Sequence, residues 1–272
     1  MIAQVPGRWS LLVNRVFQSA PPPDRFTGYF LLQNIIGVWP VDSPVSDNLR
    51  ERLKDYARKA TREAGLWTSW TEVDEEFEAA VSAWIGAVTA PPTAPAIDEF
   101  VGQIAANGEA EALARKAISI LAPGVPDIYQ GTEWWDDSLV DPDNRRAVDY
   151  RQSMDHPKVS LIRTALSVRR DHADAFGTSG TYVPIHAEGP AADHAVVFAR
   201  GVESGPRVIV ATARFTHSLL ETAAAATTVT LPDGIWIDAV SGQTHGSTTN
   251  LASLRANGPV AVLTRTADTA TP

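Results

Sequence analysis

Apolar residues recur at intervals of three and four through the first two-thirds of the chain, a spacing that predicts helices. The clearest case spans residues 47–64, where Ser46 is suited to cap the start and Gly65 to end the helix. Its apolar face consists of Leu49, Leu53, Tyr56, Ala60 and Ala64. Charged residues lie opposite, so we expect this face to be buried against other helices.

Three further helices are predicted between proline-rich joints. One begins after Asp74 with acidic residues in its first turn, which suit the positive end of a helix dipole, and stops before 90–95. Another covers 109–121 and is stopped by the Pro-Gly pair at 123–124. The last covers 157–170. An apolar segment at 28–39 and a turn at 40–46 precede the helix at 47–64.

The pattern changes to alternation with a period of two after residue 177, which indicates strands. Short strands are expected at 181–186, 194–200, 207–212, 227–231, 235–238 and 259–263. Several short antiparallel strands at such spacing suggest a sandwich, with a domain boundary near 177–180. The alanine run at 223–226 is predicted to be a loop.

Composition excludes several classes of function. The chain has 23 Lys and Arg against 32 Asp and Glu, a formal net charge of -9, which argues against nucleic-acid binding. It has no Cys, so disulfides and thiolate chemistry are excluded, and its scattered His residues lack metal-ligand spacing. We therefore expect no cofactor or metal. Since neither a signal peptide nor a membrane span is evident, a cytoplasmic location is expected.

Residues 122–150 are dense in polar and aromatic side chains. A short extended segment at 125–129 follows the helix at 109–121, and such helix, turn and strand order is typical of an α/β barrel, whose sites lie on loops after strands. Carboxylates, amides, guanidinium groups and aromatic rings together suit sugar recognition. The candidate substrate-binding residues are Tyr129, Gln130, Glu133, Trp134, Asp141, Asp143, Asn144, Arg145 and Arg146.

Structural roles are open alternatives for all of these residues. The charged stretch from Asp141 to Arg146 could be a solvated turn with its arginines capping carbonyls. Tyr129, Gln130 and Glu133 could close a barrel rather than contact sugar. Trp134 and its neighbour Trp135 could be packed in the interior, as Trp commonly is.

A family resemblance sharpens this picture. The segment PGVPDIYQGTE at 123–133 resembles the eighth-strand region of the α-amylase family, and SLVDPDNRR at 138–146 with VDY at 148–150 resembles its maltooligosyltrehalose synthase branch. Segments at 29–34, 37–40, 59–64 and 68–70 are similar to a helical insertion of that branch. Ala147 departs from the branch, which usually has Pro there, and 109–121 is a diverged helix.

The resemblance implies an α+β fold, the C-terminal part of a (β/α)8 barrel enzyme. Residues 1–107 would complete the seventh repeat and form the helical insertion, 108–178 the last barrel strand and helix with the substrate loop, and 179–272 an antiparallel β-sandwich domain. The three catalytic carboxylates of the family lie on barrel strands four, five and seven. All would precede residue 1, so we expect no catalytic residue here, an inactive fragment and a missing N-terminal barrel part.

The activity implied is an intramolecular transglucosylation that converts the reducing-end α-1,4 linkage of maltooligosaccharides to an α,α-1,1 linkage. Asp141 and Arg145 would clamp the acceptor glucose, with Asp143, Asn144 and Arg146 in support. A trehalose-releasing hydrolase would be the functional partner. The alternatives are a non-catalytic α-glucan-binding or regulatory protein, and another transferase or hydrolase of the α-amylase family.

Overall fold

The computed structural model describes residues 1–150 and 153–265, which form helices and antiparallel sheets. The chain divides into two compact units. The first contains residues 1–106 and 136–148, and the second contains residues 107–135 and the described residues from 149 onwards. No helix of the described chain is long and apolar enough to cross a membrane.

The first unit is helical. Its elements are α1 (Pro6–Ser19), α2 (Arg25–Gly37), α3 (Asp47–Ala64), α4 (Glu75–Val88) and the first part of α5 (Ala94–Leu121). One hydrophobic core unites them, and its members include Val16, Leu32, Leu53, Ile85 and Ile97. Burial of these apolar faces, rather than helix propensity, supplies most of the stability of such helices.

The caps predicted for α3 and α4 are confirmed. The Ser46 hydroxyl accepts a hydrogen bond from the Leu49 amide at 3.1 Å, and Gly65 ends α3 with a φ of 64°. A left-handed terminator suits glycine, which has no Cβ to clash there. The Asp74 carboxylate accepts from the Phe77 amide at 2.9 Å and begins α4. Local cap chemistry therefore fixes these ends.

Two predictions in irregular sequence were wrong. The helix predicted at 109–121 begins at Ala94, because Pro95 is tolerated in a first turn and the following apolar residues, Ile97 and Phe100, are buried in the core. The alanine run predicted as a loop contributes to α8 (Glu221–Ala225), where Ala224 is fully buried. Packing overrode the local breaker Pro95 in α5, whereas α8 agrees with the high helix propensity of alanine.

The second unit contains the end of α5, α6 (Pro157–Asp171), α7 (Ala173–Phe176), α8, α9 (Leu251–Leu254) and all the described strands. The strands are β1 (Thr181–Ile185), β2 (Ala187–Glu188), β3 (Ala195–Val202), β4 (Gly205–Ala213), β5 (Thr228–Thr230), β6 (Trp236–Asp238), β7 (Thr244–His245), β8 (Thr248–Asn250) and β9 (Val260–Arg265). They pair antiparallel, in the order β1-β3-β4-β9-β6-β7 in one sheet and β2-β5-β8 in the other.

The larger sheet is covered on both faces. On one face, Phe198 and Val262 share a core with Ile120 and Leu161 of the helices α5 and α6. On the other, Ile209 shares a core with Val229 of the smaller sheet. The β region thus belongs to one compact unit with α6 and the end of α5.

No strand forms at 125–129, where one was predicted. Val125 is 95% exposed, and nothing in the described chain pairs with this segment. A barrel strand is held by hydrogen bonds to neighbours on both sides. The described residues supply no such neighbours, so the segment has no ladder to join.

Candidate functional site

The loop at 136–148 is fastened to helix α3 by Arg52. The Arg52 Nε donates to Oδ1 of Asp143 at 2.8 Å, and its Nη2 donates to Oδ2 at 2.7 Å. The same Nη2 also donates to the Asp137 carbonyl at 2.7 Å. The Leu139 amide donates to Oδ2 at 2.8 Å, and the Asp143 side chain is only 7% exposed. Asp143 is therefore the anchor of the loop.

Arg146 makes hydrogen bonds to other residues of the same loop. Its Nε donates to the Asp143 carbonyl oxygen at 3.0 Å, and its Nη2 donates to the Ser138 hydroxyl at 2.7 Å. That hydroxyl in turn donates to the Asp136 carboxylate. The backbone between them makes a short 3₁₀ turn, Asp143–Arg145. The polar groups of Asp143 and Arg146 are thus bound by the protein itself.

Protonation of Asp143 should release the loop. Burial raises the pKa of this carboxyl, but hydrogen bonds from Arg52 and from the Leu139 amide outweigh burial and hold the pKa below its ordinary value of 3.8. A depressed pKa means that the ionised group contributes stability above its unfolded pKa, and that this contribution is lost as the pH falls through the folded pKa. We expect the anchor to persist at neutral pH and to fail only below about pH 4.

The Leu139 amide reports this titration because it donates to the Asp143 carboxylate. Its NMR shift, followed from neutral pH into acid, should change with a midpoint below 3.8, the ordinary value for Asp. Asp143→Asn serves as the control and should abolish the transition. A midpoint at or above the ordinary value in the native chain would contradict the anchoring role.

At the tip of the loop, the side chains of Asp141, Asn144 and Arg145 are accessible to a ligand. Arg145 Nε lies 2.5 Å from Oδ1 of Asp141, and the two side chains are 62% and 49% exposed. Exposed ion pairs of this kind contribute little to stability. Asn144 is exposed and makes no side-chain hydrogen bond with the described residues. A guanidinium fork, a carboxylate and an amide can together donate to and accept from vicinal sugar hydroxyls.

The remaining candidates lie in the second unit. Trp134 is buried and donates its indole N–H to the Ser153 carbonyl at 2.7 Å, which favours packing over a sugar platform. Tyr129 is exposed, and its carbonyl accepts from the Thr132 hydroxyl at 2.7 Å. Gln130 and Glu133 make no side-chain hydrogen bond in the described part of the chain. Of the predicted site residues, the structure brings together those of the loop at 136–148, which are Asp141, Asp143, Asn144, Arg145 and Arg146.

The chain as a whole is similar to known proteins in both sequence and structure. No protein-family model matches the chain. A protein of Mycobacterium tuberculosis described as a maltooligosyl trehalose synthase is 44% identical over 271 residues, which cover 97% of this chain and 35% of that protein. Nearly the whole chain matches part of a maltooligosyltrehalose synthase.

Solved structures agree. Maltooligosyltrehalose synthase from Arthrobacter ramosus is 33% identical, with a TM-score of 0.85, over 97% of this chain and 36% of that one. A hypothetical maltooligosyl trehalose synthase of Sulfolobus tokodaii is 25% identical, with a TM-score of 0.78, over 97% of this chain and 36% of that one. The chain spans about a third of the length of the relatives it matches.

Proposed function

We propose that this chain is the C-terminal portion of a maltooligosyltrehalose synthase and that its loop at 136–148 forms part of the acceptor-glucose site. The observation that carries the proposal is a difference in exposure within the loop. The Asp143 side chain is buried and bound by Arg52, whereas the side chains of Asp141 and Arg145 are exposed. The identity of 44% to the M. tuberculosis protein supports the family part of the proposal.

The exposed segment at 125–129 fits a barrel strand whose neighbours belong to the rest of the enzyme. Its Val125 side chain is 95% exposed, although valine is suited to a buried strand. We accordingly assign 108–178 to the last barrel repeat, 1–107 to the end of the seventh repeat with the helical insertion, and 179–272 to a β-sandwich domain. The three carboxylates of the retaining mechanism would come from the remainder of the barrel.

The reaction divides the chemistry between the two parts of the enzyme. A nucleophilic carboxylate displaces the reducing-end glucose from the α-1,4 bond, and an acid group protonates the departing oxygen. The released glucose then turns over, and its anomeric hydroxyl attacks the glycosyl–carboxylate bond while the acid residue, now a base, takes its proton. The carboxylate leaves, and the new linkage is α,α-1,1.

Asp141 and Arg145 would retain the glucose between these two steps. Arg145 can donate two parallel hydrogen bonds to adjacent hydroxyls, and Asp141 can accept from a third while it orients the guanidinium. A glucose held in this way competes with water for the intermediate, because its attack becomes effectively intramolecular. The anchor from Arg52 to Asp143 keeps the turn that carries both residues in place.

The chain alone should convert no substrate. We expect neither maltooligosyltrehalose nor shorter maltooligosaccharides from maltohexaose, because the proposed division leaves this part without a nucleophile or an acid. Product analysis by chromatography and mass spectrometry, with a full-length relative as the positive control, tests this. Maltooligosyltrehalose produced by a sample of the expected mass would contradict the division.

Two further proposals follow from the same assignment. A hydrolase that releases trehalose from the product would act next, because the product still carries its maltooligosyl chain. The other proposal is a cytoplasmic location. A reducing compartment permits a chain without Cys and does not require it.

A further inference from the structure

A polar cleft lies in the second unit, between helix α6 and the larger sheet. Its volume is about 570 Å³, and its lining comprises Ser160, Arg163, Thr164, Ser167, Val168, Asp171, His172, Ala239 and Thr264. None of these residues belongs to the loop at 136–148. We propose that this cleft binds a small phosphorylated sugar.

The lining comes from one face of α6. Ser160, Arg163, Thr164 and Ser167 follow the spacing of a helical stripe, and the opposite stripe, which includes Leu161 and Ala165, is buried against the sheet. Across the cleft, Thr264 of β9 is on the same sheet face as Val262, two residues earlier. Rigid elements of secondary structure therefore supply the polar groups.

This stripe differs from the exposed face of an ordinary surface helix. On α3, long charged side chains pair with each other, as Lys54 does with Glu51 and Arg58 with Asp55. On α6, the stripe that lines the cleft instead carries the short hydroxyl side chains of Ser160, Thr164 and Ser167 beside one guanidinium, that of Arg163. Short side chains beside the sheet leave a recess, and their hydroxyls make no side-chain hydrogen bond to the described residues.

Arg163 is the cation available to a ligand. Lys158 donates to the Trp134 carbonyl and Arg169 donates to the carbonyls of Ile120 and Gly124. Arg170 forms an exposed pair with Asp171 and is not among the residues that line the cleft. Within residues 1–150 and 153–265, the Arg163 side chain has no hydrogen-bond or ion-pair partner.

These groups favour a phosphate monoester of a sugar over other ligands. A free guanidinium matches the geometry of phosphate oxygens, and hydroxyl groups donate to them as well. Asp171, the carboxylate in the lining, pairs with Arg170 at 2.9 Å, so its charge is partly compensated. The cleft is much larger than phosphate alone requires, which leaves room for the sugar. The described lining contains no Phe, Tyr or Trp, and His172 is its one aromatic side chain, so a nucleobase would find little ring surface to stack on.

Binding can be measured on the chain itself. With ¹⁵N-labelled protein, titration with glucose 6-phosphate should shift the amides of Ser160, Thr164 and Ser167 saturably, with a dissociation constant of about 1 mM or tighter. Inorganic phosphate should bind the same amides more weakly, and glucose should not saturate them. Arg163→Ala should weaken glucose 6-phosphate binding by about 10-fold or more, because it removes the charge-assisted hydrogen bonds.

Two variants make the test specific. Arg58→Ala removes one exposed guanidinium from the first unit and should leave the affinity unchanged. Arg163→Lys keeps the charge without the planar fork and should bind with intermediate affinity, which also covers the case in which Arg163→Ala folds poorly. No saturable shift with glucose 6-phosphate, or equal affinity in native protein and Arg163→Ala, would overturn the proposal. Equal affinities for phosphate and glucose 6-phosphate would overturn its sugar part.

Discussion

Replacing Arg52 with Met should destabilise the first unit by about 2–4 kcal/mol, because it leaves the buried Asp143 carboxylate without its main partner. Met preserves most of the volume of the side-chain stem and so isolates the charge. The loss should be smaller than for a wholly unpaired charge, since the Leu139 amide and Arg146 remain. Urea unfolding followed by circular dichroism measures the stability, and hydrogen exchange of the Leu139 amide measures the loop.

The matched control is Arg58→Met on the same helix. Arg58 pairs with Asp55, and both side chains are more than half exposed, so this change should cost at most about 1 kcal/mol. Combining Arg52→Met with Asp143→Asn should cost less than the sum of the separate changes, because the uncompensated charge is removed. Equal effects of Arg52→Met and Arg58→Met, with unchanged exchange at Leu139, would refute the anchor.

The parts of the fold that follow from short-range chemistry were predictable. Helix α3 has the predicted bounds because its cap at Ser46, its terminator at Gly65 and its apolar stripe agree with one another. The strands β3, β4 and β9 were also expected, since alternation and β-branched residues identify half-buried strands. Each signal lies within a few residues of the structure that it predicts.

The parts that depend on distant packing were not predictable. The extension of α5 back to Ala94 depends on burial of Ile97 and Phe100 in the helical core. The layering of helices against the larger sheet depends on contacts such as those in the core that contains Leu161 and Val262. No local pattern in the sequence contains these pairings.

The candidate site divides in the same way. The polar loop was evident from composition, and the structure does bring Asp141 and Arg145 together. Arg52 was missed, because it lies 91 residues before Asp143 and looks like any other charged residue on the outer face of α3. The sequence suggests a local partner instead, since Asp55 lies three residues after Arg52, but in the structure Asp55 pairs with Arg58.

Replacing Arg145 with Ala in a full-length maltooligosyltrehalose synthase that carries this segment should shift the products towards hydrolysis. Removing the fork leaves Asp141 underpaired and the acceptor glucose loosely held, at a cost of roughly 2–4 kcal/mol in transition-state binding. Because the lost contacts retain the glucose after bond cleavage, transfer should suffer more than cleavage. Arg145→Lys should recover part of the transfer, and Arg58→Ala should behave as the unchanged enzyme does.

The most direct test of the proposed acceptor site is the molar ratio of free glucose to maltooligosyltrehalose formed from maltohexaose by the Arg145→Ala enzyme. The ratio separates retention of glucose from the general loss of activity that any damaging substitution causes. Retention by Asp141 and Arg145 predicts that the ratio rises while overall turnover falls. An unchanged ratio at an unchanged rate would contradict it and would show that the tip of the loop is a solvated turn.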